Sequence, residues 1–159
     1  MIKYEINASI KPEFVNEIKE PWLRNIVTEI LKVLDLPESV ELGIVITDDD
    51  TIRQLNRDYR DLDESTDVLA FHMPSSPLEG QELSFISPPD SIKHLGEIVI
   101  SYPQAVKQAT EQGHNKTDEL VVLMIHGVLH LLGYDHDLPE EDLIMQAKAN
   151  EIKEILSED

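Results

Sequence analysis

Two histidines four residues apart, His126 and His130, are followed by Gly133 and then by a third histidine, His136. On a helix the first two project about 40° apart and one turn apart along the axis, so both imidazoles leave one face and can reach one metal ion. Gly133 falls just past the last helical turn, where a left-handed residue ends a helix and turns the chain sharply. After such a turn His136 can swing back toward the other two. Three neutral nitrogen donors with one coordination position left open suit a catalytic zinc, whereas structural zinc is closed by a fourth protein ligand. A lone histidine on an apolar helix face is ordinarily a core residue. Three at this spacing, with glycine between them, point to a ligand set.

The run matches the zinc-binding pattern of the metzincin proteases, His-Glu-x-x-His-x-x-Gly-x-x-His, at four of its five defining positions. At the fifth, where a zinc protease carries its glutamate base, stands Gly127. Glycine neither accepts a proton nor orients water, so the ordinary peptidase mechanism lacks its base. Zinc alone lowers the pKa of coordinated water to about 7, which leaves hydrolysis of another kind of bond open.

The chain of 159 residues is long enough for one domain with a sizeable core. It contains no cysteine, so a zinc site must rest on histidine and carboxylate. No stretch approaches the roughly 20 apolar residues of a membrane span, and Met1 to Glu5 reads as a charged strand rather than a signal peptide. A soluble, cytoplasmic protein is expected. The formal charge of −19 argues against general nucleic-acid binding, because attraction to phosphate supplies most of that affinity. A local basic patch can still differ from the net charge.

The elements that must position the histidines follow from periodicity. Ile2 to Ile6 alternates and predicts a first strand. From Pro21 to Leu34, apolar Trp22, Ile26, Ile30 and Leu34 recur every fourth residue, with Leu23 and Val27 widening the stripe of an amphipathic helix that Pro37 follows. Val40 to Thr47 is β-branched and nearly all apolar, as a central strand is. Thr47 or Asp48 caps the next helix, in which Ile52, Leu55 and Tyr59 mark a buried face. Asp67 to Met73 predicts a short strand, and residues 74–92, rich in proline and serine, an irregular excursion. Leu95 to Tyr102 restores the strand pattern, and Pro103 opens a helix that stops at Gly113. Thr117 is the expected cap of the histidine helix, whose Leu120 to Ile125 are all apolar and bury it before His126. A last helix begins at Pro139, with Asp137 as its cap, and packs through Ile144, Met145, Ile152 and Ile155.

Arg53, Arg57 and Arg60 lie within about 60° of one another on the second helix and form one stripe. Beside so many carboxylates they suit either surface ion pairs or planar recognition of phosphate, for which guanidinium is the preferred group.

These blocks together resemble the YbeY family of metal-dependent endoribonucleases, also described as ribosomal RNA maturation factors. The histidine run at 126–136 carries the resemblance, supported in order by Leu55-Asn56 with Tyr59-Arg60, Thr66 to Phe71, Leu95 to Ile100 and Gly113-His114. It covers most of residues 40–155. The resemblance implies a single α+β domain over 1–159, with a small mixed sheet packed with helices and a zincin-like histidine-bearing helix. It implies one zinc per chain held by His126, His130 and His136, although other divalent ions suit such donors. It places Arg60 in the active-site groove and His114 near it, His114 being otherwise a histidine beside a helix cap. Arg53 and Arg57 would then line the path of the strand.

The implied function is single-strand-specific cleavage of RNA, in maturation of the small-subunit ribosomal RNA 3′ end and in ribosome quality control. The ribosome and its assembly proteins are the expected partners. Two alternatives stand beside it: a ribosome-associated assembly factor whose metal is structural, and a metal-dependent hydrolase of another class, against which Gly127 speaks. The sequence departs from the family at Ala70 and His72, where serine and proline are expected, and in the longer 74–92 excursion. His72 and His94 suit structural or surface roles. Asp135 suits a turn or a contact behind the ligands.

Overall fold

In the computed structural model the described residues are 3–36, 38–61, 66–72, 92–134 and 139–157; of Arg60, His72 and Ser157 the backbone alone is described. The chain forms β1 (Tyr4–Ile10), a single 3-10 turn at Pro12–Phe14, α1 (Glu20–Leu34), β2 (Val40–Thr47), α2 (Asp49–Arg60) and β3 (Val68–His72). It continues through β4 (Lys93–Ser101), α3 (Tyr102–Gln112), α4 (Lys116–Leu131) and α5 (Pro139–Ser157).

The four strands make one mixed sheet in the order β1-β2-β4-β3. β1 and β4 flank β2 in parallel, and β3 closes the edge antiparallel to β4. β2 is thus central, as its β-branched composition predicts. β1 extends to Ile10, four residues past the alternating stretch, because Asn7 to Ile10 pair with Gly43 to Ile46.

Alternation along the strands sends side chains to two layers. Leu42, Ile44, Ile46, Ile98 and Ile100 join the main core with α1, α4 and α5. Val99 and Leu69 point the other way and meet Ile52 of α2 in a second, smaller cluster. α2 therefore covers the face opposite the histidine helix.

Several expectations shift in detail. Tyr59 is 72% exposed rather than buried, and its ring lies edge-on to Phe71 at 5.5 Å. Its ring reaches the second cluster at Phe71, a partly buried residue of the rim, and the rest of it stands in solvent. Ile144 and Ile155 are exposed, whereas Met145, Ala149 and Ile152 carry the packing of α5. The stripe is thus turned by about one position. Asn115, not Thr117, caps α4, its side chain accepting from the Asp118 amide at 2.8 Å. The residues assigned to the 74–92 excursion lie outside the described residues except Ile92, and so does Asp137.

Candidate active site

α4 runs through the main core. Leu123, Met124, Ile125, Val128 and Leu129 on it are buried. Each such side chain contributes about 1.5–3 kcal/mol on burial, so the helix is anchored by its apolar sides and not by the groups on its open face. That open face carries Glu119, Leu123, His126 and His130, spaced by three and four residues, and forms the floor of a cleft of about 850 Å³. The edge strand β3, with Thr66 and Asp67 before it, makes one wall; α3 and α5 make the others.

His126 and His130 are both half-buried and both open on this cleft, one turn apart, as their spacing requires. The helix ends as predicted, with Gly133 at φ +100° and its amide donating to the His130 carbonyl at 3.0 Å. His136, the third histidine, and Asp135 lie outside the described residues. Among the described residues no three metal-binding side chains converge. The two that face the cleft nevertheless suit a divalent ion: paired imidazoles at helical spacing on a rigid, buried helix, in a chain with no thiolate.

Gly127 is buried where α4 crosses the sheet. A Cβ added there would stand 2.7 Å from Ile98 Cγ2 and 3.0 Å from Ile98 Cδ1, closer than carbon atoms approach. The missing glutamate thus has a packing cause. At position 127 the helix lies so close to β4 that a Cβ fits only if Ile98 shifts.

The pairing of Glu119 is not legible in the sequence, where this residue is only an acidic member of a first helical turn. Its carboxylate is buried, at 3% exposure, and lies 2.6 Å from Nε2 of His114, which also lines the cleft. The available signal is its register, since Glu119 precedes His126 by seven residues and so shares its face. Besides these groups the cleft presents Asp67 and Asp142 as carboxylates and Lys153 as a cation, so it is not a basic channel.

α2, which carries the arginines, packs on the other face of the sheet. Arg53 and Arg57 stand exposed on α2, and neither lines the cleft; Arg57 Nε lies 3.9 Å from Asp58. Arg60 closes α2, and its side chain is outside the described residues. His94 pairs with Glu41 at the starts of β4 and β2, and neither residue lines the cleft.

Comparison with known proteins settles the kinship of this arrangement. The family model described as Endoribonuclease YbeY matches residues 5–157. The chain belongs to the YbeY family. An Endoribonuclease YbeY of Dehalococcoides mccartyi is 46% identical over 158 residues, covering 96% of this chain and 99% of the relative. That of Geobacillus thermodenitrificans is 40% identical over 150 residues, covering 91% and 94%. A Thermotoga maritima protein solved in solution shares the fold, with a TM-score of 0.50 and 23% identity over 96% of this chain and 92% of the other. Kinship with the family therefore extends over both layers of the sheet and through α4 and its histidines.

Proposed function

We propose that the chain is a zinc-dependent endoribonuclease that cuts single-stranded RNA, and that its substrate is ribosomal RNA undergoing 3′-end maturation and quality control in the cytoplasm. The observation that carries this reading is the pair of half-buried histidines, His126 and His130, opening on a cleft in a chain of the YbeY family. His126, His130 and His136 would hold the ion. Bound there, zinc supplies Lewis acidity toward a phosphoryl oxygen and activates water without a protein base.

The residues of the chain do the rest. The buried sides of α4 keep the two imidazoles at fixed spacing, so the donors need no reordering when substrate arrives. Arg60, at the end of α2, offers a guanidinium to the negative charge that develops on the phosphoryl group. Arg53 and Arg57 extend that cation stripe along the exposed face of α2.

A cleft walled by helices and an edge strand admits a strand whose bases can splay apart, which is how proteins read unpaired RNA. A charge of −19 and the carboxylates in the lining keep affinity for naked RNA low, which fits a protein that meets its substrate within a ribosomal particle.

The test is cleavage of a single-stranded ribosomal RNA fragment by zinc-loaded protein, beside His130→Ala prepared identically. Cutting by the wild type that disappears in the variant is expected. Equal cutting by both, or none by either, overturns the reading; the latter result favours an assembly factor that acts by binding.

A further inference from the structure

Glu119 is a carboxylate that folding removes almost wholly from water, and among the described residues His114 is its partner. The pairing fixes the imidazole through Nε2 at 2.6 Å. The ring itself is 27% exposed and borders the cleft, and its Nδ1 makes no hydrogen bond among the described residues. A ring held at one nitrogen by a buried anion, on a partly exposed side chain that borders a cleft, keeps its second nitrogen for a ligand.

The position of the pair says where along a substrate it acts. Glu119 lies seven residues before His126 on the same stripe of α4, about 10 Å along the axis at about 1.5 Å per residue. At that separation the pair stands beside the two histidines, and His114, which precedes α4, borders the same cleft. An extended strand covers the distance with its next nucleotide or two.

The chemistry of the site narrows what it contacts. With Nε2–H donated to Glu119, a neutral ring offers Nδ1 as an acceptor, and a protonated ring offers N–H. A phosphate can only accept, so it suits the protonated ring alone, and it would approach the buried Glu119 anion together with Asp67 and Asp142, against Lys153 as the one lysine or arginine among the described lining residues. A hydroxyl donates or accepts and carries no charge, so it suits both states of the ring.

Resting on the endoribonuclease reading, we infer that His114, positioned by Glu119, binds the ribose 2′-hydroxyl of a nucleotide adjacent to the cleaved bond and so selects RNA over DNA at that position. The 2′-hydroxyl is the group by which a protein tells the two apart at a given site.

The test uses zinc-loaded protein and a short single-stranded RNA whose cleavage position has been mapped. Substrates carrying one 2′-deoxy nucleotide, placed in turn at the first and second positions on either side of the cleaved bond, are compared by kcat/KM. One such substitution should slow the wild type about tenfold, the effect of losing one hydrogen bond. His114→Ala should cut the unmodified and the deoxy substrate at the same rate.

Since that variant leaves Glu119 buried without its partner, the paired replacement His114→Ala with Glu119→Ala is run beside it, as removing both partners costs less stability than removing one. A merely structural pair would lower the melting temperature and leave the discrimination ratio unchanged, which overturns the inference. So does a wild type indifferent to every deoxy position, a result that needs no variant to fold. Wild type that cuts no RNA at all overturns the nuclease reading, and this inference with it.

Discussion

The side chain of Ile98 occupies the space that any side chain at position 127 would need: a Cβ on Gly127 falls 2.7 Å from Ile98 Cγ2. Ile98 is itself fully buried in the middle of β4. A side chain at the position where a zinc peptidase would carry its base therefore requires Ile98 to shift.

Gly127→Ala should therefore destabilise the domain by about 1–3 kcal/mol, as overpacking does, although alanine favours a helix over glycine. In an Ile98→Ala background the same change should cost markedly less, because the colliding atoms are gone. Urea denaturation of the four proteins closes the double-mutant cycle. Additive effects would show that the contact does not limit the packing.

Removal of the metal is expected to leave the fold standing. α4 is held by Leu123, Met124, Ile125, Val128 and Leu129, all buried and none of them a ligand. After chelation the far-UV circular dichroism should keep its helical signal, and metal analysis should find about one zinc per chain before treatment and none after. Unfolding on chelation would instead mark the ion as structural.

Gly133 adopts φ +100°, a conformation that side chains rarely accept. Gly133→Ala should cost about 1 kcal/mol or more of stability. It should also weaken zinc binding about tenfold if the turn is what returns His136 to the pair on α4. Competition against a chromophoric chelator measures the affinity; unchanged binding would remove His136 from the ligand set.

Arg60→Ala should lower turnover on single-stranded RNA by about a hundredfold while zinc content stays at one per chain, since charge stabilisation by a positioned donor is worth that much. Loss of zinc along with activity would show the arginine to be structural.

Asp48 couples the start of α2 to the end of β1. Its carboxylate pairs with Lys11 and accepts from the Thr51 amide at 2.7 Å, and these contacts, Lys11 first, hold it at about 2 against an ordinary 3.8. A depressed carboxyl stabilises the fold fully above the unfolded value and loses that contribution as pH falls through the folded one. Asp48→Ala should thus cost about 1 kcal/mol at pH 7. The gap to the wild type should close between about pH 4 and pH 2, as denaturation across that range would show.

Much of this was legible in the residues. The strand at 40–47, the helix entered at Pro103 and the glycine turn at 133 follow from local rules of pattern, ring geometry and left-handed backbone, which act over a few neighbouring positions. The same holds for the shared face of His126 and His130, since helical spacing alone puts them there. The sequence by itself determined which donors a metal could meet, imidazole and carboxylate with no thiolate, and set glycine where a zinc peptidase has its glutamate.

What it could not determine depends on contacts between residues far apart in the chain. Ile98 explains Gly127 only once β4 lies under α4, and Tyr59 is exposed because its ring meets the second cluster at the rim, against Phe71. The arginine stripe reads well on a helical wheel, yet α2 packs on the face of the sheet opposite α4, and only strand alternation carried into three dimensions decides that. Glu119 and His114 are five residues apart with a helix start between them. Their pairing required the fold to bury the carboxylate and leave the imidazole as the nearest group able to satisfy it.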